Sequence, residues 1–443
     1  MRLETLAGKR LAVLGYGREG RCALAVLAQR LPETAISVLV ERGERPSEMP
    51  GWTGPFDRRL TDFDVLIRSP GIPVDHPALA AARAAGVAVV NPASIWLAER
   101  QDVKVIGVTG SKGKSTTASL LAHLLMACER EVLLAGNIGE PLLGHLDTTA
   151  EFIVLELSSY QLADIEGAIA LGLITRLFDE HLDWHGSREA YFASKLRIAR
   201  LLAGRPLLVN GADTVLMEQT SGIAGRIVVN QPPGFWRRED VLYRDQQPWL
   251  RLDELGLSGR HNLDNAAMAL TAAQLLGVSD GPLRDALVGF QPLPHRLERL
   301  PVQAGRAWVN DSISTSPHAT RAALESLRDE RVTLIAGGLA RPADWQAVID
   351  WCQARPLAGL VVLPDNGAQV AAALIEGGAV RPGRVEQVAD MSEAVSAAVR
   401  LSATGGVVLL SPGAPSFPRF RDFEERGAAF RTAVAAYSDR STA

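Results

Sequence analysis

The sequence predicts an α/β protein of three domains built on mainly parallel sheets. Three observations predict it. Seven apolar runs, RLAVLGYG, DVLIRSPG, KVIGVTGS, FIVLELSS, RVTLIAGG, GLVVLPD and GVVLLSPG, alternate with Ala/Leu-rich helical patterns, which argues for right-handed strand–helix–strand crossovers. Each run is apolar throughout rather than at every second position, as in parallel strands covered on both faces. Each ends in a small or polar residue, and ligands of such sheets gather beyond the carboxyl ends of the strands. Helices are expected over Ser115 to Cys128 and His318 to Leu327. One break falls near Arg100–Lys104, where QDVK precedes a fresh strand. Another follows Gln291–Glu298, where two prolines interrupt helical periodicity. The expected domains are 1–99, 100–297 and 298–443, each a reasonable domain size.

Bulk properties exclude several classes. The chain has 443 residues, 47% hydrophobic and 22% charged, ordinary values for a globular α/β protein. The 46 basic and 50 acidic residues give a formal charge of −4 with no polybasic run, which argues against nucleic acid or an anionic membrane as main partner. The opening stretch is charged through its first ten residues, so a signal peptide is not expected. No apolar stretch is long enough to span a bilayer. Cys22, Cys128 and Cys352 lie far apart, without metal-ligand spacing; they fit a reducing cytoplasm and are expected to be buried thiols.

Gly107-Val-Thr-Gly-Ser-Lys-Gly-Lys-Ser115 matches the phosphate-loop pattern GxxxxGK[ST]. It follows the strand KVIGV and opens the helix STTASLLAHLL, the context the motif requires. Glycines let backbone N–H groups close around phosphate oxygens, and the helix N-terminus adds partial positive charge. Lys114 would touch the terminal phosphates of ATP and Ser115 would hold Mg²⁺; Gly110, Ser111, Lys112, Gly113 and Thr116 complete the candidate cradle. The bland alternative is a Gly-rich turn before a helix. The central domain is therefore read as phosphate-loop ATPase-like. Gly15-Tyr-Gly17-Arg-Glu-Gly20 follows the strand RLAVL and suggests a Rossmann-like turn, with Glu41 near where a ribose-binding acid would fall. No hydride-transfer site is evident and a second nucleotide loop follows at once, so a nucleotide-shaped ligand other than NAD fits better. A purely structural tight turn is the alternative.

The motifs VIGVTGSKGKSTT, GNIGEP, VLELSSYQL, DEHLDWHG, YFASKLRI, LSGRHNLDNAAMAL, LPHRLE, NDSISTSPHATRAAL and LLSPGAPSFPRFRDFEERG occur in this order along essentially the whole chain. The series resembles the Mur ligases, and within them the branch that joins glutamate to UDP-N-acetylmuramoyl-L-alanine. The combination is specific, above all HNxxNAxxA and PHRxE. The resemblance implies catalytic roles for Lys114, Glu156, His181 and Lys195, with Ser115, Glu156, His181 and a carbamylated Lys195 on two Mg²⁺ ions. It implies ATP contacts at Asn137, Asn265, His295, Arg296 and Asp311. Gly15, Tyr16, Gly17, Arg18, Glu41, Ser69, Gly71, Asn137 and Ser158 would meet the UDP substrate. Thr315, Arg341, Ser416, Phe417 and Phe423 would meet the incoming glutamate, in a Rossmann-like C-terminal domain. A cytoplasmic monomer in peptidoglycan synthesis is implied too. Taken singly, His181 reads as a solvated loop histidine, Lys195 as a surface lysine, Asn265 as a cap and His295 as a turn residue. Glu156 is different, because an acid ending the apolar strand FIVLEL is costly to bury without a partner.

Departures from the common pattern cluster in the third domain. Ile313 stands where D-glutamate-adding members have lysine, Arg341 replaces a glutamate-binding lysine, and Phe417 replaces leucine. Lys112 also replaces a common asparagine in the phosphate loop. A variant branch adds L-glutamate and relies on a partner epimerase to invert it; the sequence looks similar to that branch, and ordinary D-glutamate addition is the alternative. A folylpolyglutamate-synthetase-like ligase is disfavoured by the GYGREG front domain, and a catalytically silent nucleotide-binding regulator by the presence of Lys114, Glu156 and Lys195.

Overall fold

The computed structural model describes residues 1–41, 45–138, 140–180, 182–257, 259–291, 294–340 and 343–441, the side chains of 182, 183, 318 and 438–441 excepted. The chain divides into two compact units, Met1–Phe290 and Gln291–Ala443.

The first unit holds three sheets. Strands β1 (Leu11–Leu14), β2 (Ile36–Leu39), β3 (Val65–Arg68) and β4 (Ala88–Val90) form a parallel sheet in the order β2-β1-β3-β4. Strands β5 (Lys104–Thr109), β6 (Val132–Gly136), β7 (Phe152–Glu156), β8 (Leu171–Ile174), β9 (Leu207–Asn210) and β10 (Arg226–Val229) form a second parallel sheet, β10-β9-β8-β5-β7-β6. A small antiparallel sheet follows: β11 (Phe235–Arg238), β12 (Val241–Arg244) and β13 (Gln247–Arg251). One apolar core joins the first two sheets, running from Leu11 and Trp96 to Ile165 and Leu216. A Cβ on Gly167 would lie 2.6 Å from Leu97 Cβ, so the two sheets' connections touch directly.

In the second unit β14 (Glu298–Gln303) pairs antiparallel with β15 (Arg306–Asn310). The remaining strands, β16 (Val332–Ala336), β17 (Gly359–Val362), β18 (Val385–Gln387) and β19 (Val407–Leu410), run parallel in the order β14-β15-β19-β16-β17-β18. Helices cover both faces, over a core around Leu334 and Leu360 on one side and around Ile335 and Val408 on the other.

All seven apolar runs are parallel strands, and the two expected helices occupy Lys114–Ala127 and Pro317–Ser326. The β11–β13 meander was not anticipated. Cys352 is buried, but Cys22 and Cys128 are only half-buried, which corrects the expectation of three buried thiols. Among the described residues no helix is long and apolar enough to cross a membrane.

The glycine turn after β1 shows how closely the first sheet packs. Gly15 has φ +82°, and a Cβ on Gly20 would sit 2.0 Å from the Gly15 carbonyl oxygen. The obstacle is backbone and cannot swing away. Gly20→Ala is therefore expected to destabilise the chain by ~1–3 kcal/mol, seen as a lowered melting temperature. An unchanged melting curve would show that the turn relaxes freely.

Candidate functional site

The phosphate loop lies at the carboxyl end of β5, between β7 and β8, and leads into the helix Lys114–Ala127. Its glycines are required by both conformation and space. Gly110 has φ +145° and Gly113 φ +88°; a Cβ would meet Thr175 Oγ1 at 2.0 Å from Gly110 and Asn265 Oδ1 at 2.5 Å from Gly113. Asn265, on the helix His261–Leu275, thus packs over the end of the loop, its amide donating to Asn262 Oδ1 at 2.9 Å. Ser111, Ser115 and Thr116 are buried. Lys114 Nζ donates to the Gly110 and Ser111 carbonyls at 2.8 and 2.9 Å, and Lys112 pairs with Glu180 at 2.8 Å.

Glu156 ends β7 next door and is fully buried. Its Oε1 accepts from Asn137 Nδ2 at 2.8 Å, while Oε2 is buried without a hydrogen-bond partner. Buried polar atoms are nearly always satisfied. An unsatisfied carboxylate oxygen on the strand next to the phosphate loop suits a hard divalent cation, which takes oxygen ligands. The residues therefore fit Mg²⁺, although no group of three or more His, Cys, Asp or Glu able to hold a metal occurs among the described residues. His181 lies outside the described residues.

Lys195 is 2% exposed. It sits on the helix Arg188–Leu196, where Nζ donates to the Gly110 carbonyl at 2.7 Å and lies 4.8 Å from the centre of the Tyr191 ring. Tyr191 is one helical turn earlier, and its hydroxyl donates to Ser111 Oγ at 3.0 Å. Burial, and then the charge of Lys114, hold the Lys195 amine well below the usual lysine range. A buried amine displaced toward its neutral form is a nucleophile, the form that adds to CO₂.

In the first sheet Ser69 Oγ donates to the Gly15 carbonyl at 3.2 Å, bringing the Ser69–Gly71 loop against the glycine turn. Tyr16 is half-buried, with its carbonyl accepting from Arg21, and Gly17 caps the helix Arg18–Arg30. Glu41 accepts from the Phe56 amide at 3.2 Å and lies 3.3 Å from His76. Arg18 reaches the carbonyls of Gly136 and Asn137 at 3.1 and 2.9 Å, so it ties the glycine turn to the loop bearing Asn137. Ser158 caps the short helix Ser159–Leu162 in a reciprocal capping box with Gln161.

In the second unit His295 has φ +64°, accepts at Nδ1 from Asn310 Nδ2 at 2.9 Å, and packs edge-on to Phe423 at 6.5 Å. Burial lowers its pKa. Arg296 lies near Asp311, whose pKa burial pushes up to about 6. Asp311 is 4% exposed and accepts from Leu297 N, Ser314 and Ser411, so its carboxylate is directed into the unit. A cavity of about 390 Å³ opens at the carboxyl ends of the parallel strands, lined among others by Gly338, Asp365, Asp390, Ser416, Arg419 and Arg426. Among the described residues, Ser416 is the one expected glutamate contact that lines it. Thr315 is exposed, Phe417 is 61% exposed, Phe423 is half-buried beside His295, and Arg341 lies outside the described residues. Phe417, expected to meet the incoming glutamate, is not part of the lining of this cavity. Sequence reasoning missed Glu180, Tyr191 and Arg419; the i, i+4 spacing of Tyr191 and Lys195 was the available signal.

A strand–loop–helix cradle beside a buried carboxylate and a buried amine defines a nucleotide-dependent enzyme. Comparison with known proteins narrows the class. The Mur ligase middle domain matches residues 108–273, and the Mur ligase glutamate ligase domain matches residues 295–414. Curated relatives named UDP-N-acetylmuramoyl-L-alanine–L-glutamate ligase include one from Xylella fastidiosa, 38% identical over 97% of this chain and 96% of its own. Another, from Micromonospora sp., is 39% identical over 98% of both. Among solved structures, MurF from Acinetobacter baumannii superposes with TM-score 0.62 at 20% identity, covering 97% of this chain and 90% of that one. UDP-N-acetylmuramate-alanine ligase MurC from Thermotoga maritima gives 0.58 at 18%, covering 98% and 99%. At those identities the structures speak for the fold alone. The chain belongs to the Mur ligase family and is an ATP-dependent, amide-bond-forming ligase.

Proposed function

We propose that this ligase joins L-glutamate to the L-alanine carboxylate of UDP-N-acetylmuramoyl-L-alanine, a step of peptidoglycan precursor synthesis. The observation that carries this reading is the near-full-length likeness to relatives whose names state that reaction. The three-domain division 1–99, 100–297 and 298–443, a monomeric cytoplasmic enzyme, and an epimerase acting on the product belong to the same proposal.

The chemistry has two steps. The substrate carboxylate attacks the γ-phosphorus of ATP, ADP leaves, and an acyl phosphate forms. The amine of glutamate then attacks the acyl carbon and loses a proton, while the C–O bond to phosphate breaks. Phosphoryl transfer depends chiefly on alignment and charge neutralisation. Lys114 and the loop amides hold the phosphates, with Gly110, Ser111, Lys112, Gly113 and Thr116 shaping the cradle and Asn137, Asn265, His295, Arg296 and Asp311 completing the ATP contacts. Gly15, Tyr16, Gly17, Arg18, Glu41, Ser69, Gly71 and Ser158 hold the nucleotide-sugar. Ser115, Glu156, His181 and Lys195, the last as a carbamate formed from its neutral amine and CO₂ with loss of a proton, would hold two Mg²⁺ ions. When bound, Mg²⁺ supplies positive charge against the phosphates. Glutamate is assigned to Thr315, Arg341, Ser416, Phe417 and Phe423.

Two enantiomers share every functional group, so only the positions of contacts separate them. A carboxylate left without its cation costs about 2 kcal/mol or more, or roughly 30-fold in rate. Initial rates of phosphate release with UDP-N-acetylmuramoyl-L-alanine and each pure glutamate enantiomer should favour the L form by at least ~30-fold. A preference for D-glutamate would overturn the assignment of the acceptor and leave the ligase class standing.

A further inference from the structure

Arg68 ends β3 and is completely buried, yet it belongs to none of the contacts proposed above. A buried guanidinium is costly unless paired and hydrogen-bonded, and this one is both. Its Nε and one terminal nitrogen grip Asp164 in a two-pronged pair, each at 2.6 Å. The other terminal nitrogen donates to the carbonyls of Ser69, at 3.2 Å, Pro70, at 3.2 Å, and Ile72. A further bond at 3.3 Å reaches the Tyr160 carbonyl. Asn91 completes the network, donating to Asp164 at 2.9 Å and to the Gln161 carbonyl at 3.2 Å.

The partners fall in two groups. Ser69, Pro70 and Ile72 form the loop after β3, which carries the proposed nucleotide-sugar contacts Ser69 and Gly71. Tyr160, Gln161 and Asp164 follow directly on Glu156 and Ser158. A second tie reaches the same loop from the helix Leu182–His185: Trp184 Nε1 donates to the Gly71 carbonyl at 3.2 Å, with its ring 4.6 Å from that of Tyr160. Three consecutive-region carbonyls are thereby turned inward to one cation, with Asp164 neutralising its charge.

We infer that Arg68 is a positioning residue: with Asp164 it fixes the loop Ser69–Ile72 against the Glu156–Tyr160 segment, and so sets the reach of the nucleotide-sugar's carboxylate toward the phosphate loop. The inference rests on the assignment of Ser69 and Gly71 to that substrate. A shift of about 1 Å in a bound reactant can cost on the order of 10²-fold in rate. Ser69 is also tied to the first sheet, its N–H donating to the Leu14 carbonyl at 3.0 Å and its hydroxyl to that of Gly15, but among these ties only Trp184 and Arg68 reach the loop from the side of Glu156–Tyr160.

The test compares wild type, Arg68→Met, and the double variant Arg68→Met/Asp164→Leu. Removing Arg68 alone leaves Asp164 buried and unpaired, so that variant should melt lower. Replacing both charges by apolar groups leaves no buried charge unpaired, so the double variant should melt above Arg68→Met even though the loop carbonyls lose their donor. In the double variant KM for UDP-N-acetylmuramoyl-L-alanine should rise, or kcat fall, by roughly 10- to 100-fold, while the affinity for ADP by calorimetry stays within about threefold of wild type. Rates that recover together with the melting temperature would overturn the inference and make the pair structural only. So would equal losses in ADP and nucleotide-sugar binding. Failure of the wild type to bind UDP-N-acetylmuramoyl-L-alanine by calorimetry would overturn the substrate assignment itself, a separate outcome.

Discussion

Lys114→Ala is expected to lower turnover by about 10³-fold or more while leaving the chain folded. The reason is where the amine sits. Nζ is fastened to the carbonyls of Gly110 and Ser111, so the charge is held at the mouth of the loop where phosphate oxygens would gather. Removing one preorganised cation from a site of phosphoryl transfer costs several kcal/mol of transition-state stabilisation. The helix Lys114–Ala127 keeps its apolar packing through Leu120, Leu121, Leu124 and Leu125, and alanine is a good helix former. Circular dichroism should therefore match wild type. Near-normal phosphate release in the variant would remove this loop from the reaction.

Lys195→Ala should lose activity by on the order of 10²- to 10³-fold and regain part of it with added acetate or formate. Burial, and then a lysine sharing the same carbonyl, explain why the amine is unusual. Lys114 and Lys195 both donate to the Gly110 oxygen, at 2.8 and 2.7 Å, and the Lys195 amine is held below its ordinary pKa by burial and by that neighbour. Adding CO₂ to the neutral amine exchanges a repelled cation for an anionic oxygen donor, which a small carboxylate can imitate in the space left by the variant. The loss expected is that of one strong electrostatic contact in a water-poor site. Full activity from protein whose intact mass and Lys195-containing peptide show only the free amine, with bicarbonate supplied, would sink the carbamate assignment.

The parts of the site legible in the sequence are those whose chemistry is local. The phosphate loop depends on glycine spacing and on the strand and helix beside it, and both are visible in KVIGVTGSKGKSTT. Glu156 was legible because an acid closing an apolar strand demands a partner. Lys195 was different: nothing in its own helix announces burial, and only the order of distant motifs singled it out. Arg68 shows the limit most clearly. An arginine at a strand end reads as a side chain reaching for water, and its partner Asp164 lies 96 residues away. The β11–β13 strands escaped notice because short alternating runs such as VLYR resemble loop sequence. In the second unit, Asp311 was expected among the ATP contacts, but that Leu297 N, Ser314 and the distant Ser411 donate to it is not something spacing reveals.

The Lys195–Gly110 hydrogen bond joins residues 85 positions apart, and Asn265 closes over Gly113 from still further along the chain. The loop therefore takes this shape only when the stretch from Gly110 to Asn265 is folded together. Ligand binding to such a site draws on the intactness of that stretch, so occupancy must oppose its unfolding. At a ligand concentration one hundred times Kd the linkage amounts to about 2.7 kcal/mol. A thermal scan with and without ADP thus reports on segments that never touch the nucleotide, and a protease that cuts only opened chains should be slowed across residues 110–265.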